Sequence, residues 1–182
     1  INTAGDKFLT GRTINVAGTG SLILSGGRVL NNAANTVNNS GLFDIQGNNN
    51  WVNNGGGPTT FNNQAGATFT RSSGAGTASF SGVALNNAST VNVQTGTLEI
   101  GQGGTDTGLY NLSAGATLLF NGGTRNINSG ATISGAGNIS FGSGIVNLNS
   151  GVTYSLSGAI TASGGTTTFN TSLGAITPSA LT

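Results

Sequence analysis

The chain has 182 residues, 33 of them glycine, and only 5% are charged, against roughly a quarter in typical globular domains. Its formal net charge is +1, and the five basic residues are scattered, which excludes a phosphate-binding stripe and hence nucleic acid as an expected partner. No apolar run approaches the roughly 18 to 20 residues of a membrane span, and the absence of cysteine excludes a disulfide framework.

The polar, glycine-rich composition leaves disorder as an alternative to a fold. A fold is favoured, because 35% of the residues are hydrophobic and short apolar runs recur throughout the chain. The chain begins Ile1-Asn2-Thr3 with neither an initiator methionine nor a signal peptide, a start typical of a processed chain or an excised fragment.

A short turn followed by an apolar strand recurs along the chain. The stretch Tyr110 to Phe120 (YNLSAGATLLF) is its fullest form, and FNNQAGATF, INSGATI and LNSGVTY repeat it. The residues that mark the turn are Gly20, Gly41, Gly66, Ser89, Gly115, Gly130 and Gly151, at intervals of 21, 25, 23, 26, 15 and 21 residues. The 15-residue step is either a short coil or a misaligned marker. Such a period indicates a stacked repeat.

Each interval holds short strand candidates in which apolar and polar residues alternate. In chain order they include SLIL after Gly20, LFDI after Gly41, ATFT after Gly66, TVNV and TLEI after Ser89, and ATIS, NISF and IVNL after Gly130. Helical signals are missing, since no apolar stripe of helical period occurs and glycine is too frequent. The pattern therefore predicts half-buried β-strands joined by turns.

Repeats of 20 to 25 residues that hold two or three strands predict an all-β fold, a single-stranded right-handed parallel β-helix (β-solenoid) of about 7–8 coils. At about 4.8 Å per coil the rod would be about 35 Å tall. Right-handedness follows from the general preference of β-crossover-β connections. The predicted inward residues are Leu22, Leu24, Phe43, Ile45, Phe69, Val91, Val93, Leu98, Ile100, Leu118, Phe120, Ile133, Ile139, Phe141, Val146, Leu148, Tyr154 and Leu156.

The whole chain, residues 1–182, is expected to form one solenoid domain. Residues 1–17 and 166–182 are candidates for irregular or end-pairing segments, because the turn marker is lost there and Pro178 cannot donate to a ladder. Residues 47–60, which contain Trp51 and a proline, are expected to form a looser coil or a lateral loop.

The segments GTGSLILSGG, GTLEIGQGG, GAGNISFGSG and SGAITASGG resemble the passenger regions of autotransporter and filamentous-haemagglutinin-type bacterial surface proteins. The resemblance covers residues 18–165 and is one of style, namely Gly/Asn turns and short alternating strands. It implies a right-handed β-helical rod exported to the cell surface, where such proteins act as adhesins, stalks or matrix proteins.

Candidate catalytic chemistry is sparse. Among the four acidic residues only Glu99 and Asp106 fall in one coil, with Glu99 predicted to point outward and Asp106 to lie in the following loop. The two side chains could approach each other, but an exposed pair more often solvates a surface. We therefore expect no catalytic residue and no enzyme activity.

Two stretches invite a metal interpretation. Residues 101–106 (GQGGTD) are similar to one calcium-binding nonapeptide loop, but calcium needs six to eight oxygens and only one partial copy is present. Asp44 and the asparagines at 48–50 offer further oxygens, and an ordinary Asn-rich turn explains them equally well. The sequence predicts plain turns, with no metal and no cofactor.

Two features suggest that a face of the solenoid could bind a ligand. Trp51 suggests sugar stacking, although a core or cap position is the more usual role. Threonine-rich pieces at 68–70, 105–107 and 166–168 raise ice binding, but they show no common register in the sequence and are predicted to reflect β-propensity.

The leading hypothesis is a structural or adhesive extracellular protein that displays a surface or stacks end to end into a fibre. Its partners would be copies of itself or the rest of a longer solenoid, with surface glycans as a further class. The alternative is a glycan- or ice-binding module on a β-helix face. Apolar residues available for end pairing are Phe8, Leu9, Ile14, Phe169, Leu173 and Ile176.

Overall fold

The computed structural model describes residues 4–170, which form 21 short strands and no helix. The strands are β1 Lys7–Leu9, β2 Thr13–Val16, β3 Ser21–Leu24, β4 Val29–Asn31, β5 Asn35–Asn39, β6 Leu42–Gln46, β7 Trp51–Asn53, β8 Thr59–Asn63, β9 Thr68–Ser73, β10 Thr77–Phe80, β11 Val83–Asn87, β12 Thr90–Val93, β13 Thr97–Ile100, β14 Gly104–Asp106, β15 Leu109–Leu112, β16 Thr117–Ile127, β17 Thr132–Gly135, β18 Asn138–Leu148, β19 Thr153–Leu156, β20 Ile160–Ala162 and β21 Thr166–Phe169.

The strands wind into about eight coils, each pairing in parallel with the coils before and after it. One face of the rod stacks the third strands of the coils in the order β3-β6-β9-β12-β15-β17-β19. A second face stacks β2-β5-β8-β11-β14 and continues into the long strands β16 and β18, which also supply the first strands of their coils. The predicted all-β parallel β-solenoid of 7–8 coils is thus confirmed, and its right-handed sense stays a prediction.

Alternation within each strand sends every second side chain into the rod. The predicted inward residues are fully buried from Leu24 to Leu148, while Leu22, Tyr154 and Leu156 are partly buried and pack against the same core. Five aromatic rings, each within 6.3 Å of at least two others, thicken this core in the second to fourth coils. They are Phe43, Trp51, Phe61, Phe69 and Phe80.

One turn type serves several corners of the rod. In each copy the fourth residue donates its N–H to the carbonyl of the first, as Ala67 does to Gln64 and Ala116 to Ser113, both at 3.0 Å. The third residue is a glycine with positive φ, 83° at Gly66 and 78° at Gly115, as a type II turn requires.

The turn at Gly115 stands at a different corner from the others, which corrects the spacing of the repeat and leaves the number of coils unchanged. It leads from β15 into β16, whereas the turns at Gly66 and Gly130 lead into strands of the β3-to-β19 face. In that face Thr90 pairs with Leu109 and Leu109 with Thr132, so the equivalent marker is Gly108. The 15-residue step therefore came from a misaligned marker.

The region 47–60 holds two regular strands and a discontinuity. Trp51–Asn53 pairs with β4, and Thr59–Asn63 pairs with both β5 and β11. The sheet β1-β4-β7 ends here, and β10 begins a new pairing, although the N–H of Gly82 still donates to the carbonyl of Trp51 at 3.0 Å. Residues 47–50 and 54–58 form loops on either side of β7, so ladder strands occupy only 51–53 and 59–60 of the expected looser coil.

The two end segments contain ladder strands where they are described. Residues 1–17 include β1 and β2, and residues 166–182 begin with β21, which pairs with β18. Leu173, Ile176 and Pro178 lie outside the described residues.

Candidate functional site

The acidic residues are spread over the rod instead of converging. Asp6 pairs with Arg28 on the surface at 2.6 Å, and Glu99 accepts a hydrogen bond from Asn121 at 2.7 Å. Within residues 4–170 no group of three or more His, Cys, Asp or Glu side chains is placed to hold a metal ion.

Glu99 and Asp106 point to opposite sides of the wall. Glu99 alternates with the buried Leu98 and Ile100 and lies half-buried on the outside, as predicted. Asp106 is not in a loop, which corrects the expectation: it ends β14, pairs with Ile127 and is 0% exposed. Its carboxylate is drawn inward by the guanidinium of Arg125. The two acids therefore cannot act as an exposed carboxylate pair.

Asp106, Tyr110 and Arg125 form a polar cluster inside the rod. Nη1 of Arg125 donates to Oδ2 of Asp106 at 2.6 Å and to the Tyr110 hydroxyl at 3.4 Å. The second carboxylate oxygen accepts from the backbone N–H of Asn87 at 3.2 Å. The guanidinium carbon also lies 4.7 Å from the centroid of the Phe120 ring, a cation–π geometry.

Burial sets the protonation of this cluster. Desolvation raises the pKa of Asp106, although Arg125 opposes that shift. Burial and the neighbouring Asp106 raise the pKa of Tyr110 well above its ordinary value, so the phenol stays protonated. Burial acts to lower the pKa of Arg125, but Asp106 and Tyr110 together raise it, so Arg125 stays charged. The three side chains are 0–1% exposed, so their polar groups bind one another and are not accessible to a substrate in solution.

The calcium-like stretch 101–106 is part of this cluster. Nη2 of Arg125 donates to the carbonyls of Gln102 at 3.3 Å and Gly103 at 3.2 Å, while Nη1 binds the Asp106 carboxylate. The oxygens that would bind a cation are already bound to a guanidinium. The predicted plain turn is limited to residues 101–103, because residues 104–106 form β14.

A second buried arginine, Arg71, also donates to the backbone carbonyls of turns, at another corner of the rod. Arg71 replaces an apolar residue in an inward column, between Ile45 and Val93. Its guanidinium donates to the carbonyls of Gly74 and Gly76, both at 3.1 Å, and to those of Gly47 and Ser73. Burial lowers the pKa of Arg71.

The asparagines at 48–50 hold neighbouring coils together. Oδ1 of Asn48 accepts from Nη2 of Arg71 at 2.9 Å and from the N–H of Gly76 at 3.0 Å. Oδ1 of Asn50 accepts from the N–H of Ser79 at 3.2 Å. Asp44 is bound by the amide of Gln46 at 2.7 Å. These contacts favour the Asn-rich turn over a metal site.

Trp51 belongs to the core. It is 2% exposed, its ring lies 5.6 Å from that of Phe80, and its Nε1 donates to Oδ1 of Asn31 at 2.7 Å. The core role is confirmed, and sugar stacking on Trp51 is wrong because neither ring face is accessible.

The outer face of the second strands carries two mostly polar columns. The three Thr-rich pieces named from the sequence do not share one register, since 68–70 lie on the third-strand face, but other threonines do align on the second-strand face. The first column aligns Thr13, Thr36 and Thr60 and continues through Ala84, Gly103, Thr124, Ile145 and Thr166. The second aligns Asn15, Asn38, Asn62, Asn86, Thr105, Asn126, Asn147 and Thr168. Shorter threonine columns occur elsewhere, such as Thr77, Thr97 and Thr117.

The asparagine column is a hydrogen-bonded ladder. The amide of Asn38 donates to Oδ1 of Asn15 at 2.9 Å, that of Asn62 to Asn38 at 2.9 Å, and that of Asn86 to Asn62 at 3.0 Å. Farther along, Asn147 donates to Asn126 at 2.9 Å. The side chains are thereby fixed in one orientation, one per coil.

A parallel ladder runs inside the wall and was missed from the sequence. Asn39 donates to Asn63 and Asn63 to Asn87, both at 2.9 Å, and Asp106 continues the column. The sequence signal was the recurring Thr-x-Asn triplet, in which x points inward. Aligning Thr13-Ile14-Asn15 with Thr60-Phe61-Asn62 and Thr124-Arg125-Asn126 would have placed Arg125 inside.

No protein-family model matches the chain, and comparisons with curated proteins and with solved structures find no match. Within residues 4–170 no helix is long and apolar enough to cross a membrane.

Proposed function

We propose that the chain is a structural or adhesive extracellular protein that displays a repetitive surface and stacks end to end, either on copies of itself or on the rest of a longer solenoid. The observation that carries this proposal is the continuous parallel register of the third-strand face, from β3 to β19. Repetition supplies the stability, since each coil buries its apolar side against its neighbours. An enzyme role has no support, because the buried acid–base cluster is closed to solvent.

The edges of the second-strand face support stacking between copies. Among the described residues β2 pairs only with β5, and β21 only with β18. Placing β21 of one copy against β2 of the next sets Thr166 on Thr13 and Phe169 on Val16, which continues the outer and the inner column. The core residues Ile14 and Phe169 are only partly buried and would gain cover.

Electron microscopy of the purified chain tests stacking. Filaments of solenoid width are expected, and Thr167→Lys should abolish them because residue 167 faces inward above Val146, where the charge would enter the joint. The matched control is Thr166→Lys, which points outward on the same strand and should leave filaments intact. Monomers alone at high protein concentration would contradict self-stacking.

The proposed extracellular location rests on the resemblance to autotransporter and haemagglutinin-type passenger regions and on the low charge. Protease treatment of intact producing cells checks it: the chain should be accessible from outside. Protection until the cells are lysed would contradict this location.

A binding module on one face is a second candidate function. It is supported by the in-register polar columns, which repeat once per coil and carry no charge. Glycans and ice are the two ligand classes that a flat periodic face could match.

A further inference from the structure

The outer Asn column has unused hydrogen-bonding capacity in a fixed array. An asparagine amide offers two donors and a carbonyl oxygen with two lone pairs. The interior rungs Asn38 and Asn62 each use one N–H and one lone pair in the ladder, which leaves one of each on these half-buried outer side chains. Strand pairing spaces these groups about 4.8 Å apart.

We propose that this column, Asn15 to Thr168, binds a neutral, extended polysaccharide that lies along the rod axis. This inference rests on the second candidate function and specifies its face and ligand. A β-1,4-linked chain advances by nearly one coil spacing per sugar and turns successive sugars over, so each sugar can place a hydroxyl near one amide and equivalent hydroxyls return at every second coil. None of the residues in the Asn and Thr columns is charged, so the matching ligand is neutral.

Two other occupants fit this face less well. The two columns cover a strip about 34 Å long and about 13 Å wide, roughly 450 Å², whereas a stable protein partner buries about 800 Å² per side. A second copy of the chain therefore gains too little area, but a linear glycan needs only a strip. Ice requires a long regular threonine array, and the Thr column is broken at Ala84, Gly103 and Ile145.

The column lacks an aromatic platform, so each sugar contributes little and affinity comes from length. Hydrogen bonds repeated along one rigid ligand act as a multivalent contact. Binding is therefore expected to strengthen with each added sugar until the ligand matches the length of the column.

The test uses the full chain with microcrystalline cellulose and chitin as insoluble probes, and a length series of soluble β-1,4-glucan oligosaccharides. Co-sedimentation with at least one solid and affinity that rises with oligosaccharide length are expected. The double variant Asn62→Thr/Asn126→Thr should bind about tenfold more weakly, because two rungs lose their amides. Threonine suits this position, since Thr105 and Thr168 already occupy the column.

The control Asn92→Thr/Asn111→Thr also removes two outward amides, which bond to each other at 3.3 Å on the third-strand face, and this variant should bind normally. Equal weakening in both variants, or no binding of any neutral polysaccharide, would overturn the proposal. Ice-growth inhibition without glycan binding would reassign the face to ice, and self-association lost in the Asn62/Asn126 variant would reassign it to a second copy. Filaments that persist in that variant keep this test separate from end-to-end stacking.

Discussion

Removing the carboxylate of Asp106 should strongly destabilise the rod. The side chain is 0% exposed and binds Arg125 at 2.6 Å, so Asp106→Ala leaves a buried guanidinium with only neutral partners, such as the carbonyls of Leu85 and Gly103 at 3.2 Å. Breaking a buried ion pair from one side typically costs about 3–5 kcal/mol. We expect a loss in this range in the free energy of unfolding.

Urea denaturation followed by circular dichroism measures this loss, and Asp6→Ala is the control. Asp6 forms an equally short ion pair with Arg28, but on the surface, so its removal should leave the unfolding midpoint unchanged within error. The double variant Asp106→Leu/Arg125→Met should recover most of the stability, since no buried charge remains. Equal effects of Asp106→Ala and Asp6→Ala would refute the assignment of Asp106 to the interior.

Three further predictions concern single positions. Burial raises the pKa of Tyr154 from 10.0 to about 12. The stability that the protonated phenol contributes should therefore be complete below pH 10.0 and be lost as pH rises through about 12. Tyr154→Phe should reduce this alkaline loss of stability, which melting temperatures measured as a function of pH would check. Gly96→Ala should destabilise more than Gly66→Ala, because both have positive φ but only a Cβ on Gly96 would overlap the carbonyls of Gly74 and Gly76; urea midpoints compare them. Trp51→Ala should cost about 3–5 kcal/mol as a large core deletion, and Trp51 fluorescence should not change when sugars are added, since the ring is 2% exposed; a sugar-dependent shift would contradict its core position.

Alternation of apolar and polar residues was enough to predict the fold and the interior. In TLEI and TVNV the alternating apolar residues all lie on one face of the strand, and Leu98 and Val91 are buried as expected. The argument fails where an inward position is polar. In the pairs Asn38-Asn39 and Asn62-Asn63 the two residues are chemically identical, so residue type alone does not say which one enters the wall, and the structure buries the second.

The candidate site was misjudged for a related reason. The sequence x-x-Gly-x predicts a turn from its own four residues. It does not say at which corner of the coil that turn lies. Gly115 and Gly130 therefore looked equivalent. Coils aligned on these two glycines are out of register, so the aligned threonines were not seen. Registers are set between coils, by columns such as Thr13-Thr36-Thr60, and these become visible only when the triplet Thr-x-Asn replaces the glycine as the marker.

The triplet also predicts opposite outcomes for two adjacent residues. Ala84 occupies the outer Thr place, with Thr60 as its neighbour, whereas Leu85 is 0% exposed in the column of Phe61. Ala84→Thr should therefore be neutral or slightly stabilising, because an outward β-branched side chain suits a strand. Leu85→Thr should cost about 2–4 kcal/mol, because it combines a cavity with a buried hydroxyl. Urea midpoints for the two variants decide the matter: similar losses would mean that the triplet does not set which side chains face the core.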